Sequence, residues 1–185
     1  MKIYVIRHGL TELNKQGKVN GQVDEPLAPE GMTQAKAAVA LMPEGIKYIY
    51  TSSALRAKQT AEIINSNLKC PIFSQNELGE INMGSLAGKS WEEMDSGLEL
   101  KKKHRSVQFD YHPYKGESLE DVKKRVISFL KRINNKHKDF EVLIITHGGI
   151  IRLLRLLENN VIVDETEKHV ILLTFDLNRI LKTVF

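Results

Sequence analysis

Short apolar runs alternate with longer amphipathic stretches along the chain. Runs rich in β-branched and aromatic residues predict strands at 2–6, 46–51, 140–146 and, more weakly, 71–74. Apolar residues at helical spacing predict helices at 30–42, 118–137 and 150–157. This alternation of strands and helices predicts an α/β fold, a three-layer sandwich with a mostly parallel central sheet and helices on both faces.

Serine residues mark the beginnings of two predicted helices. Ser90 follows a loop with three glycines at 77–88 and is a candidate N-cap for a helix over 90–100. Ser118, with Asp121 three residues later, is close to a capping box for the helix over 118–137.

Two segments allow more than one interpretation. A basic run such as 101–105 usually forms a solvated face of the protein. The alternative is that this run contacts an anionic substrate. Near the C-terminal end, 170–175 and 179–184 alternate weakly around Asp176-Leu177-Asn178. We expect a hairpin or two edge strands there.

Length and composition favour a single globular domain over 1–185. The residues are 42% hydrophobic and 27% charged, and the net charge of +4 is too small to require a nucleic-acid partner. No apolar run approaches membrane-spanning length, and the first residues lack a signal-peptide pattern. Cys70 is the only cysteine, which excludes an intramolecular disulfide. We therefore expect a cytoplasmic protein without nucleic-acid or membrane partners.

Residues whose side chains can bind a ligand or take part in catalysis directly follow two of the predicted strands. Arg7-His8-Gly9 comes after the first strand, and His147-Gly148-Gly149 comes after the strand at 140–146. Taken alone, the first motif is as typical of a solvent-exposed strand end as of a ligand site. Because the carboxyl ends of parallel strands share one edge of a sheet, the second motif favours convergence of both histidines on one site.

Other candidate residues fall near the same edge. Arg56 lies in the first turn of a helix that follows the strand at 46–51, and Asn14 and Glu80 lie in polar, glycine-containing loops. Two arginines and two histidines around one point suit a phosphoryl dianion. The chain has no nucleotide-binding P-loop motif, and its histidine spacing gives no support to a zinc site.

Several motifs in a fixed order resemble the histidine phosphatase superfamily, also called the phosphoglycerate-mutase-like family. The similarity covers the length of the chain. The matching blocks are Ile6-Arg7-His8-Gly9 with Thr11 and Asn14, the loop 20–27, the Arg56 segment 52–61, Leu78-Gly79-Glu80, Gly116-Glu117-Ser118 and Thr146-His147-Gly148-Gly149.

The resemblance implies a role for each candidate. His8 would attack phosphorus and become a phosphohistidine, and Glu80 would protonate the leaving alcohol and then activate water. The residues expected to hold the phosphoryl oxygens are Arg7, Asn14, Gln22, Arg56, His147 and Gly148. The family's mechanism implies neither a metal nor an organic cofactor, and its partner is a small phosphorylated metabolite.

Two positions depart from the family pattern, and three functions stay open. Leu10 and Leu13 stand where the family often has an acidic residue and a tryptophan, which bears on substrate rather than on catalysis. The leading expectation is a phosphatase. The alternatives are a 2,3-bisphosphoglycerate-dependent phosphoglycerate mutase and a non-catalytic phospho-ligand binder. The substrate stays open between a sugar phosphate, phosphoglycerate, phosphoserine and α-ribazole phosphate, and the oligomeric state is also open, a homodimer being one alternative.

Overall fold

The computed structural model describes residues 1–137, 140–162 and 168–183 and places five strands of this part of the chain in one central sheet. The strands are β1 Lys2–Arg7, β2 Ile46–Ser52, β3 Ile72–Gln75, β4 Glu141–Thr146 and β5 Leu173–Asp176. Their order across the sheet is β3-β2-β4-β1-β5. Neighbouring strands are parallel except for β5, which runs antiparallel to β1.

Helices connect and cover these strands. The α-helices are α1 Glu12–Lys15, α2 Pro29–Ala38, α3 Leu55–Leu68, α4 Gly97–Arg105, α5 Leu119–Lys136, α6 Gly148–Asn159 and α7 Leu177–Lys182. Short 3₁₀ turns lie at Val39–Leu41, Asn76–Leu78, Gly84–Leu86, Trp91–Glu93 and His112–Tyr114. The predicted capping box at Ser118 and Asp121 is present at the beginning of α5.

Alternating side chains of the strands build a core on each face of the sheet. On one face, Ile3 and Val5 of β1 pack in a cluster with residues of α5, α6 and α7. On the other face, Tyr4 and Ile6 pack with residues of α2 and α3. The predicted three-layer α/β sandwich is therefore confirmed. Within the described ranges, no helix has the length and apolar character that crossing a membrane requires.

The prediction of a hairpin near the C-terminal end is wrong. A single strand, β5, is followed directly by helix α7, and Val184 lies outside the described residues. The Asp176 side chain accepts a hydrogen bond from the Asn178 backbone, as an N-cap does, and Leu177 and Ile180 are buried at helical spacing. The segment read as a turn between strands is thus the beginning of a helix.

The predicted helix over 90–100 is also wrong in its extent. Ser90 and Glu93 form a capping box, but only the turn Trp91–Glu93 follows it. Ser96 adopts a left-handed conformation with φ of 56°, and α4 begins at Gly97. A Cβ at position 97 would collide with the Trp91 carbonyl oxygen, so this close approach requires glycine. The basic run 101–105 is consequently the second half of α4.

Candidate active site

His8 and His147 lie side by side at the carboxyl edge of the sheet. They follow β1 and β4, which are adjacent, and the His8 amide continues the ladder by donating to the Thr146 carbonyl at 3.0 Å. Their ring centroids are 5.0 Å apart. The structure thus brings together the two histidines that the strand ends predict.

The hydrogen bonds of His8 determine which ring nitrogen carries the proton. Nδ1 lies 2.7 Å from the Gly9 carbonyl oxygen, and Nε2 lies 3.3 Å from Arg56 Nε. Because a carbonyl only accepts and a guanidinium only donates, the proton is on Nδ1 and the lone pair is on Nε2. Burial lowers the pKa of His8 well below its usual range, and the positive charges of Arg7 and Arg56 add to this effect.

Arg56 is the buried centre of the cluster, with 1% of its surface exposed. From the first turn of α3 it also donates to His147 Nδ1 at 3.3 Å. Its remaining hydrogen bonds go to the carbonyls of Val23, at 2.7 Å, and Gly21, at 3.2 Å. Arg56 therefore fixes both histidines relative to the loop that precedes α2.

His147 is neutral in the same way. Since Nδ1 accepts from Arg56, Nε2 carries the proton and donates to Ser52 Oγ at 2.8 Å. Burial and the charges of Arg56 and Arg7 lower the pKa of His147 well below its usual range.

Glu80 reaches the site from a loop that packs against the beginning of α6. Its carboxylate accepts from the Ile81 amide at 3.0 Å and the Gly149 amide at 3.4 Å. A Cβ at Gly149 would lie 2.5 Å from Glu80 Oε1 and 2.5 Å from Ile81 Cδ1. Glycine at 149 therefore permits the acidic side chain to lie against the helix.

Arg125 holds the loop of Glu80 from α5, and the sequence analysis did not identify this residue. Its guanidinium donates to the carbonyls of Glu77 at 2.6 Å, Gly79 at 2.9 Å and Glu80 at 3.2 Å. It also pairs with the carboxylate of Glu117, at 2.8 and 3.1 Å. Glu117 in turn accepts from the Asn82 amide at 2.9 Å. The two residues together fix the backbone that presents Glu80.

A cavity of about 250 Å³ lies beside the two histidines, and their chain neighbours Arg7 and Gly148 line it together with Asn14 and Glu80. His8 itself is buried next to this lining, with 1% of its surface exposed. The Asn14 amide nitrogen donates to Asn20 Oδ1 at 2.5 Å, and its oxygen has no hydrogen-bond partner among the described residues.

Gln22 takes a different position from the other predicted site residues. Its side chain is exposed and donates to the Glu80 carbonyl at 2.9 Å. It stands outside the cavity lining that the structure describes and contacts the loop of Glu80 instead.

His169 is a further site residue that sequence reasoning missed. Its Nδ1 lies 2.7 Å from the His8 carbonyl oxygen, its ring centroid is 5.4 Å from that of His8, and it lines the cavity. Burial lowers its pKa to about 4, with a smaller effect of Arg7. The available signal is topological: an antiparallel neighbour of β1 begins where β1 ends, so residues just before β5 lie beside His8.

His104 and Arg152 also line the cavity, and Arg105, part of the basic run, lies with them. Arg152 Nη2 donates to His104 Nε2 at 2.6 Å. In the described part of the chain, no cluster of three or more histidine, cysteine or acidic residues is arranged to hold a metal ion.

Comparisons with known proteins agree with this arrangement. Residues 3–170 match the histidine phosphatase superfamily (branch 1). A metal-independent phosphoserine phosphatase of Arabidopsis thaliana is 33% identical over 163 residues, which are 84% of this chain and 67% of that protein. Phosphoglycerate mutase-like protein 4 of the same plant is 33% identical over 158 residues, 83% of this chain and 69% of the relative.

Solved structures show the same fold. Bacillus stearothermophilus YhfR superimposes with a TM-score of 0.82 at 28% identity, covering 94% of this chain and 89% of that one. The family expected from the sequence motifs is therefore confirmed. The chain belongs to the histidine phosphatase superfamily, branch 1.

Proposed function

We propose that this protein is a phosphatase that hydrolyses a small phosphomonoester through a phosphohistidine on His8. The observation that carries the proposal is the lone pair of His8 Nε2. It belongs to a ring kept neutral by burial, and the chain neighbour of His8, Arg7, lines the cavity together with Glu80. A neutral imidazole is the form that attacks phosphorus.

In the first step, Arg56 Nε gives up its hydrogen bond to Nε2. The released lone pair forms a bond to phosphorus while the bond from phosphorus to the leaving oxygen breaks. Arg7 and Arg56 compensate the charge on the phosphoryl oxygens. Glu80, in its acid form, gives its proton to the departing oxygen, which leaves as an alcohol. The hydrogen bond from Nδ1 to the Gly9 carbonyl stabilises the ring as it becomes positively charged.

In the second step, a water oxygen attacks the phosphorus of the phosphohistidine. The Glu80 carboxylate accepts the proton of that water, and the bond from Nε2 to phosphorus breaks with its electron pair returning to the ring. Inorganic phosphate leaves, and His8 and Glu80 regain their starting forms. One ester and one water are consumed, and one alcohol and one phosphate are produced.

The dimensions of the cavity favour a small substrate. Its volume of about 250 Å³ lies below the roughly 300–1,000 Å³ of sites for drug-sized ligands. Trp91, Val19 and Met83 supply its apolar lining. A phosphorylated three- or four-carbon compound fits such a site better than a nucleotide-like ester.

A phosphoglycerate mutase is the second candidate, and two observations favour it. One relative is named as phosphoglycerate mutase-like, and Arg105 and Arg152 bring further positive charge to the cavity. A mutase would return the phosphoryl group from His8 to a substrate hydroxyl instead of to water, and it needs a bisphosphorylated primer.

The test is phosphate release from a panel of small phosphomonoesters, run beside isomerisation of 3-phosphoglycerate with and without 2,3-bisphosphoglycerate. We expect phosphate release by the wild type and none by His8→Ala, with the fold of the variant checked by circular dichroism. Isomerisation that depends on the bisphosphate would replace the phosphatase by the mutase. Absence of both reactions would leave a non-catalytic phospho-ligand binder.

A further inference from the structure

His169 lies against the nucleophile but has no part in the proposed reaction steps. It precedes β5, lines the cavity and is half-buried. Its ring packs edge to face on that of His8, with centroids 5.4 Å apart and an angle of 63° between the planes. A phosphoryl group that enters this cavity to reach His8 therefore comes close to the His169 ring.

The proton of neutral His169 is on Nδ1. This atom donates to the His8 carbonyl oxygen at 2.7 Å, and a carbonyl oxygen can only accept. The lone pair is consequently on Nε2, which has no hydrogen-bond partner among the described residues. Since the side chain lines the cavity, this nitrogen is available to a ligand.

Each of the other three histidines of the site uses both ring nitrogens in hydrogen bonds. His8 and His147 each accept from Arg56 and donate to an oxygen. His104 accepts from an arginine and donates to a tyrosine. A nitrogen that accepts from a guanidinium cannot gain a proton while that contact lasts, because both groups would then donate. His169 can gain a proton without losing a hydrogen bond.

A phosphoryl dianion reverses the electrostatics that keep His169 neutral. Without a ligand, burial and the charge of Arg7 lower its pKa to about 4. Phosphoryl oxygens of a dianion only accept hydrogen bonds, so they repel the lone pair of a neutral Nε2 and attract an N–H group. The same negative charge compensates Arg7. The bond from Nδ1 to the His8 carbonyl also becomes stronger when the ring is charged.

We propose that His169 takes up a proton on Nε2 when a phosphoryl dianion binds, and donates it in a hydrogen bond to a phosphoryl oxygen. The proton comes from solvent and returns to solvent when inorganic phosphate leaves, so the overall reaction is unchanged. Nδ1 keeps its proton on the His8 carbonyl throughout. The inference rests on the proposed phosphatase site and adds a phosphoryl-binding residue to it.

Other titratable groups face the same cavity and compete for a proton. Apart from the histidines, the charged residues in the lining that the structure describes are Arg7, Lys18, Glu80, Arg105 and Arg152. Arginine and lysine are already protonated near neutral pH. The competing groups are therefore Glu80, whose neutral form a nearby dianion also favours, and His8 once Arg56 releases Nε2.

The experiment uses inorganic sulfate, a tetrahedral dianion that does not titrate near neutral pH. Calorimetry at about pH 6 in two buffers of different ionisation enthalpy counts the protons taken up, and we expect roughly one per sulfate. Sulfate affinity should then rise close to tenfold for each pH unit that the pH falls, as uptake of one proton requires. Long-range ¹H–¹⁵N NMR should show His169 protonated on Nδ1 alone without sulfate and on both nitrogens with it.

His169→Asn separates the two ring nitrogens. The asparagine amide can replace Nδ1 as donor to the His8 carbonyl, but it has no group at the position of Nε2. We expect this variant to take up almost no proton and to bind sulfate roughly 10- to 100-fold more weakly at about pH 6, as for a lost hydrogen bond to a charged group.

His112→Asn is the matched control. His112 pairs with Asp110 and Asp121 on the surface and lies outside the described cavity lining, so proton uptake and affinity should stay unchanged. Thermal denaturation checks the fold of each variant. If His169→Asn does not fold, the NMR spectrum of the wild type decides the question.

A His169 ring that stays neutral with sulfate bound would overturn the proposal, and so would a failure of sulfate to bind. Glu80→Gln should keep the proton uptake, and its loss there would assign the proton to Glu80 instead. Turnover that depends on His8, with His169 neutral in the sulfate complex, would overturn the proposal and leave the phosphatase intact. Protonation of His169 in a protein that hydrolyses no ester would support the proposal and remove the phosphatase.

Discussion

The proposed chemistry depends on where each histidine of the site holds its one proton. His8 carries it on Nδ1 because the Gly9 carbonyl accepts it, and His147 carries it on Nε2 next to Ser52. Arg56 donates to the remaining nitrogen of both rings. A single arginine thus selects both tautomers, and its hydrogen bond to His8 Nε2 must be released before that lone pair can attack phosphorus.

Glu80→Gln tests the general acid. Glutamine keeps the size of the side chain but cannot supply a proton, so we expect kcat on alkyl phosphates to fall by about 10²- to 10⁴-fold. On p-nitrophenyl phosphate the first-turnover release of nitrophenolate should slow by less than about 10-fold, because the nitrophenolate leaves without protonation, although the second step still lacks its base. Rapid-quench kinetics of the first turnover on both substrates measures the difference.

Glu77→Gln is the control for this substitution. Glu77 lies in the same loop but forms a surface ion pair with Arg132, at 2.9 Å. The Glu77→Gln substitution should therefore leave the activities on both substrates unchanged. Equal losses of the first-turnover rate on the two substrates in Glu80→Gln would remove Glu80 from the role of general acid.

The residues at the ends of strands are those that sequence reasoning predicts well. Arg7, His8 and His147 follow apolar runs without a spacer, so their convergence follows from a parallel sheet. His169 has no such local signal, because it reaches the site only through the antiparallel pairing of β5 with β1. Arg152 lies four residues after Gly148 in α6, so helical spacing alone places it on the side of Gly148.

Among the elements, α6 packs closely against the loop of Glu80. Gly149→Ala would place a methyl group 2.5 Å from both Glu80 Oε1 and Ile81 Cδ1, so the carboxylate must move. We expect kcat to fall by roughly 10- to 100-fold with a folded protein, since misplacement by about 1 Å has such effects. Kinetics and a thermal melt measure the two quantities.

Gly45→Ala provides the comparison. Its Cβ would also meet a carboxylate oxygen at 2.5 Å, that of Glu141, but it precedes β2 at the opposite edge of the sheet. This variant should keep full activity. Full activity of Gly149→Ala would show that the position of Glu80 against α6 does not matter for the reaction.

Elements with strong patterns are predicted correctly, and those that depend on their surroundings are not. The long apolar face of α5 and its capping box identify that helix from sequence. The region 90–105 carries a good N-cap at Ser90, yet the contact of Gly97 with the Trp91 carbonyl shifts the helix to a later start. Local propensity contains no information about that contact.

For the molecule as a whole, neutral histidines in the folded chain make stability depend on pH. The pKa values of His8, His104, His147 and His169 are all lowered, with burial as the largest cause. Below the usual histidine pKa of about 6.5, the unfolded chain binds protons that the folded chain does not. The free energy of unfolding should therefore fall as pH falls, by up to about 1.4 kcal/mol per pH unit for each such histidine.

Urea denaturation between pH 7.5 and 4.5 measures this dependence. His169→Asn removes one of these groups, whose folded pKa is about 4, and should flatten the dependence between pH 6.5 and 4.5. An unfolding free energy that stays constant over the range would contradict the assignment of neutral buried histidines.

The order of the strands is also a property of the whole molecule. Hydrophobic patterns predict the strands themselves but not the order β3-β2-β4-β1-β5, which places β4 beside β1 and so His147 beside His8. The adjacency of β4 and β1 belongs to the packed fold, in which helices cover both faces of the sheet. From the sequence, it can be predicted only by assuming that both strands end at one edge of a common sheet.

The most direct test of the account is to locate the phosphoryl group on the enzyme during turnover. Rapid acid-free quenching with excess substrate, followed by ³¹P NMR and peptide mass spectrometry, would identify the modified nitrogen. We predict a phosphoryl group on Nε2 of His8, because Nδ1 is hydrogen-bonded to the Gly9 carbonyl. A phosphoryl group on Nδ1 or on His147, or turnover that continues in His8→Ala, would contradict it.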